Sequence, residues 1–186
     1  MENKNIIEEV RKFVEEECKK HLLGEELLMN HFVPVVNYAK KLSENENVDL
    51  ELIEISAWLH DIGSIIYGRK DHHITGAEIA EKKLKEIGYP EEKINKVKKC
   101  IFNHRGSVKN NFESTEEKIV AEADCLTFFD TLEGSFLWVI DADKIKNQKE
   151  IKQSIKNKSI NKWNQLSPEA KKLIKPKFEA IMLLFG

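Results

Sequence analysis

Apolar residues recur along the chain at three- and four-residue intervals, the period that places them on one face of an α-helix. Ile6, Ile7, Val10, Phe13 and Val14, separated by Glu and Lys, predict an amphipathic helix ending near Cys18. A second helical region opens at Gly24 with Glu25 and Glu26 and carries Leu27, Leu28, His31, Val35, Tyr38, Ala39 and Leu42. Pro34 falls inside that pattern, so a kink or a restart is expected near Asn30, with His31 beside it. After a polar loop at 44–48, Asp49 is the predicted N-cap of a helix holding Ile53, Ala57, Trp58 and His60 and stopping at Gly63.

An exposed loop through Gly68, Arg69 and Lys70 leads to Asp71, the predicted cap of a helix running through Ile74, Ala77, Ala80, Leu84 and Ile87 to Gly88. Pro90 at N1 starts the next helix, which carries Ile94, Val97 and Ile101 to His104 and stops at Gly106. Ser114 and Glu117 have the spacing of a capping box ahead of Ile119, Val120, Ala123, Asp124 and Leu126. Residues 131–186 offer at least two further helices, one opened by Ser167 and Pro168. No period-two segment, internal repeat or linker interrupts the series. The expectation is an all-α protein, a single globular helical bundle over 1–186 with a motif-bearing core at about 20–135 and a helical extension at 136–186.

Composition changes this picture little. Thirty Lys and Arg nearly balance 32 Asp and Glu among 186 residues, so no strong field draws the chain to nucleic acid or to an anionic membrane. Cys18, Cys100 and Cys125 are odd in number and widely spaced, which fits a reducing cytoplasm better than a disulfide framework. The N-terminus lacks a signal-peptide pattern, and apolar runs such as 136–140 and 181–185 are far shorter than the roughly 20 residues a bilayer requires. Trp138, Trp163, Phe136, Phe178 and Phe185 read as core or homo-oligomer contacts, and the lysine runs at 93–99 and 144–158 as solvated helix faces.

The chemistry concentrates at Ile55-Ser56-Ala57-Trp58-Leu59-His60-Asp61. An imidazole and a carboxylate side by side at the end of an apolar helix are costly to bury unless a partner offsets the cost, and a divalent metal is a common partner. Adjacent helical residues point about 100° apart, so both can face one ion only if it lies off the helix end. Five of the six histidines lie between positions 31 and 104, with Asp124 beyond them.

The ordered set His31, His60-Asp61, Asp124 resembles the H…HD…D signature of the HD-domain metal-dependent phosphohydrolase superfamily, over about residues 20–135. The segments His72-His73-Ile74-Thr75-Gly76-Ala77 and Asn103-His104-Arg105 resemble the additional motifs of members that bind a second ion. The resemblance implies that His31, His60, Asp61 and Asp124 hold one divalent ion, and that His72 and His104 hold a second ion or the substrate phosphate. His73 is the alternative to His72, whose four-residue spacing to Gly76 matches the family better. Two imidazoles and two carboxylates form a mixed N/O shell suited to Mn, Fe, Co, Ni or Zn, with Mg also in view. Arg69, Lys70 and Arg105 are candidate phosphate contacts, Arg through its bidentate fork.

The expected activity is hydrolysis of a phosphoester or phosphoanhydride of a small, nucleotide-like substrate by a metal-bound hydroxide. Two alternatives stand beside it: a di-iron oxygenase of the same fold, and a catalytically inactive helical module that binds a ligand for regulation.

Overall fold

The computed structural model describes residues 5–105, 111–131 and 147–185. Gly106, Phe136 and Trp138, to which the sequence assigns a helix stop and core or oligomer contacts, lie outside the described residues. So does the first part of the 144–158 lysine run. Among the described residues all regular structure is helical: α1 Ile6–Cys18, α2 Gly24–Leu27, α3 Val33–Leu42, α4 Leu50–Leu59, α5 Ile62–Tyr67, α6 His72–Glu86, α7 Glu91–Asn103, α8 Thr115–Thr127, α9 Gln148–Gln165 and α10 Pro168–Phe185, with a π-helical turn at Leu28–Phe32. None of these helices is long and apolar enough to cross a membrane.

The chain divides into two compact units, Met1–Asp124 and Cys125–Gly186. In the first, α4 lies at the centre and packs against α1, α3 and α7. Leu52, Ile53, Ile55, Ser56, Ala57, Trp58 and Leu59 are all buried, so beyond its exposed first residues, Leu50 and Glu51, this helix is covered around most of its circumference rather than along one stripe. Its N-terminus is capped by Asp49, whose carboxylate accepts the Leu52 N–H at 3.1 Å. Helices α6 and α7 form an antiparallel pair, with α5 laid against α6. In the second unit, α9 and α10 pack together, and the Trp163 and Phe178 rings stack at 4.2 Å. Ser167 Oγ accepts the Ala170 N–H at 3.3 Å where α10 begins.

Several boundaries have a physical basis different from the one the sequence suggests. The irregularity expected near Asn30 is present as a π-helical turn at Leu28–Phe32, after which α3 starts at Val33. Val33 N–H donates to Leu28 O in a π-turn, and Pro34 supplies no N–H to the ladder. Asp71 occupies the N-cap of α6 with φ +55° and makes no side-chain capping bond. Its carbonyl accepts from Ile74 and Thr75 instead. Pro90 is the N-cap of α7, and Glu91 is its first residue. Gly88 ends α6 as expected: at φ +81° its N–H reaches Lys85 O while Tyr89 N–H reaches Leu84 O, the paired bonds of a Schellman cap.

Gly63 is the clearest correction. The helix stops at Leu59, and Gly63 lies buried inside α5. A Cβ there would stand 2.3 Å from the His72 carbonyl oxygen, 2.6 Å from Gly76 N and 2.6 Å from Thr75 Oγ1. The residue is small because α5 and α6 touch backbone to backbone. Gly63→Ala is therefore expected to destabilise the fold by about 1–3 kcal/mol, the usual cost of overpacking, and to displace the first turn of α6. Urea denaturation checks this, and an unchanged midpoint would refute the close approach.

Candidate metal centre

Each histidine that the sequence singles out sits at a helix terminus or irregularity. His60 follows the last residue of α4 as its C-cap and is fully buried, and Nδ1–H donates to Ala57 O at 2.8 Å. His104 caps α7 in the same way, with Nδ1–H on Ile101 O at 2.5 Å. His72, the first residue of α6, places Nδ1–H on Arg69 O at 2.8 Å. All three rings therefore use one nitrogen on the carbonyl three residues earlier, which fixes the tautomer and leaves Nε2 as the outward lone pair of the neutral ring. His31 comes from the π-turn, a local geometry often found at functional sites.

The outward nitrogens meet in pairs. His31 Nε2 and His60 Nε2 are 3.0 Å apart, and His72 Nε2 and His104 Nε2 are 3.3 Å apart. Two nitrogens each about 2.1 Å from one ion stand roughly 3.0–3.4 Å apart for angles between octahedral and tetrahedral. Asp124 Oδ1 lies 3.6 Å from His31 Nε2 and 3.9 Å from His60 Nε2. The donor atoms of His31, His60 and Asp124 fall within 4.8 Å of one another, and so do those of Asp61, His72 and His104. Each group can hold a metal ion, and the mixed N/O donor set fits a divalent transition metal.

Asp61 stands between the two groups. Its Oδ2 is 3.4 Å from His31 Nε2 and 4.0 Å from His60 Nε2. Its Oδ1 is 3.4 Å from His72 Nε2 and 3.7 Å from His104 Nε2. The residue occupies the turn between α4 and α5 with φ −110° and ψ 14°, the sparsely populated bridge region. Its carbonyl starts α5 by accepting from Ser64 and Ile65, while the carboxylate makes no capping bond and faces the rings.

The electrostatics separate the two groups. Burial pushes the His60 imidazole down to about 4, although Asp61 pulls the other way. Burial also opposes ionisation of Asp61, yet the facing His104 and His31 rings outweigh it and hold the carboxyl well below its usual range. For His104 burial acts downward, and the Asp61 carboxylate overcomes it and raises the pKa.

The structure brings together His31, His60, Asp61, Asp124, His72 and His104. It divides the expected four-ligand shell, however, placing Asp61 with His72 and His104 as well as beside His31. His73 belongs to neither group: its ring packs on Phe102 at 5.2 Å, and burial followed by the Arg105 charge lowers its pKa. Arg69 and Lys70 are exposed on the loop between α5 and α6, and Arg105 is partly buried directly after His104.

Sequence reasoning missed Glu117, which is only 2% exposed and accepts Asn103 Nδ2–H at 2.8 Å. Its place in an S-x-x-E pattern suggested a capping role. Ser114 Oγ does accept the Glu117 N–H at 3.2 Å, but the Glu117 carboxylate takes the Glu113 N–H at 3.3 Å.

The sequence matches the HD domain family over residues 28–132, more than half of its length, and the chain belongs to that family. Among curated proteins it is 27% identical over 164 residues to the tRNA (cytidine(56)-2'-O)-methyltransferase of Picrophilus torridus, covering 79% of this chain and 42% of that protein. It is 33% identical over 109 residues to an uncharacterised protein of Clostridium beijerinckii, covering 56% and 62%. It is 31% identical over 125 residues to an uncharacterised protein of Methanocaldococcus jannaschii, covering 57% and 69%. The chain thus spans less than two thirds of the length of the first two relatives. No solved structure matches it.

Proposed function

We propose that this protein is a metal-dependent phosphohydrolase acting on a phosphoester or phosphoanhydride of a small, nucleotide-like substrate. The observation that carries the reading is the position of Asp61, whose two oxygens each lie 3.4 Å from an imidazole of a different ligand group. His31, His60 and Asp124 would hold one ion, and His72 and His104 a second, with Asp61 shared between them. Bound divalent metal lowers the pKa of coordinated water and polarises a phosphoryl oxygen.

The protein's own part is to keep these donors in place and correctly protonated. The carbonyls of Ala57, Arg69 and Ile101 hold three Nδ1 protons, so the rings present Nε2 without rearrangement. Two carboxylates against two divalent ions leave net positive charge, which favours an anionic substrate. Arg69, Lys70 and Arg105 are the candidate contacts for its remaining phosphate oxygens.

Metal-free protein supplied in turn with Mn, Fe, Co, Ni, Zn and Mg should release phosphate from members of a panel of nucleotides and other small phosphoesters, and chelation should abolish the release. Four imidazoles and a shared carboxylate also suit a pair of irons, so the oxygenase reading is tested by anaerobic iron loading and spectroscopy after air exposure. Metal and nucleotide binding without any product would favour the regulatory module.

A further inference from the structure

We propose that Glu117 and Asn103 form a positioning pair that sets the affinity of the second ligand group, Asp61, His72 and His104, for its ion. This rests on the metal-site reading above and names residues outside the six ligands. Asn103 is the last residue of α7 and immediately precedes His104, while Glu117 lies in the first turn of α8. The 2.8 Å bond from Asn103 Nδ2–H to Glu117 Oε2 ties the end of one helix to the start of the other.

The same oxygen takes the Glu113 N–H at 3.3 Å, so the carboxylate joins the approach to α8 to the end of α7. Glu117 also precedes Asp124 by seven residues, two helical turns or roughly 10 Å along the same face of α8. The clamp therefore fixes the end of α7, and with it His104, against the start of α8, while Asp124, two turns further along, is carried by α8 itself. A buried carboxylate is costly without partners, and two hydrogen bonds offset the cost only while both helix ends hold their places. Loss of the clamp frees the α7 terminus, which carries a ligand of the second group alone. His31 and His60 come from the π-turn and α4, neither of which carries a residue of the clamp.

The test is stepwise Mn2+ binding by calorimetry, with bound metal measured in the same samples, for wild type, Glu117→Ala, Glu117→Gln and Asn103→Ala. Supporting results are two ions on wild type and a second-step affinity about 10–100-fold weaker in Glu117→Ala and Asn103→Ala, as for other groups that orient metal ligands. The first step should stay nearly unchanged. Glu117→Gln retains an oxygen acceptor and should recover much of the loss. Circular dichroism identifies a variant that fails to fold, and Asn103→Ala then carries the test.

A merely structural role would lower thermal stability and weaken both steps alike, which overturns the proposal, as does an unchanged second step or a single ion on wild type. Two-ion binding without phosphate release on any substrate would sink the hydrolase reading and leave this one intact. Phosphate release with an unaltered second step in Glu117→Ala would sink this one alone.

Discussion

Asp61→Ala should abolish metal-dependent phosphate release and reduce bound metal from two ions to at most one. The expectation follows from where the two oxygens lie: Oδ2 faces His31 and Oδ1 faces His72, each at 3.4 Å. Removing this one side chain takes a donor from both groups, whereas removing His72 or Asp124 takes a donor from one. Groups that only orient a metal ligand already contribute about 10–100-fold, so loss of a shared ligand should cost at least about 100-fold in activity and in affinity for each ion. Asp61→Asn separates charge from shape, because it keeps the volume and one oxygen but removes the negative charge. The carboxylate should matter more than the space it fills, so the two variants should be similarly inactive. A variant lacking the carboxylate that still held two ions and turned over substrate would show that the ligand assignment is wrong.

The residue types of this site were legible in the sequence, and the reason is local. Helix periodicity located α4, α6, α7 and the start of α8, and His60, Asp61, His72 and His104 fall at the ends of the first three. Three features escaped. The division of the six residues into two groups depends on the angle at Asp61, fixed by a bridge-region turn between α4 and α5 that sequence reading merged into one helix end. Gly63 contributed to that error, because glycine in sequence signals a stop as readily as it signals a close approach, and only the packing of α5 on α6 distinguishes them. Glu117 escaped for a similar reason, since a capping pattern is local whereas its bond to Asn103 joins two helices. The carbonyl partners of the histidines were invisible because backbone acceptors carry no sequence signature.

Acidification should remove the second ion before the first. In the metal-free protein the pKa of His104 is raised despite its burial, because Asp61 faces it, so protons compete for this donor already above pH 6.5. Burial holds His60 at about 4, so that donor stays free of protons far below the range where an ordinary imidazole would bind them. Affinity falls by about tenfold per pH unit for each proton a metal must displace, and His104 enters that regime before His60. Dialysis at stepped pH from 7.5 to 5, followed by elemental analysis, should show a plateau near one ion. Simultaneous loss, or loss from the His31, His60 and Asp124 group first, would contradict this order. The same depressed pKa makes folding pH-dependent in the metal-free protein. A histidine whose folded pKa lies below its unfolded value of 6.5 contributes stability that is fully present above pH 6.5 and is lost as the pH falls towards 4. The shift corresponds to about 3 kcal/mol at this fully buried ring. The raised pKa of His104 changes stability only above pH 6.5, and the lowered pKa of Asp61 only below the ordinary carboxylate value of 3.8, so neither cancels the loss within this window. Urea denaturation of the metal-free protein across pH 7 to 4 measures it directly, and a stability that stayed level over that range would mean that His60 is not held neutral by burial.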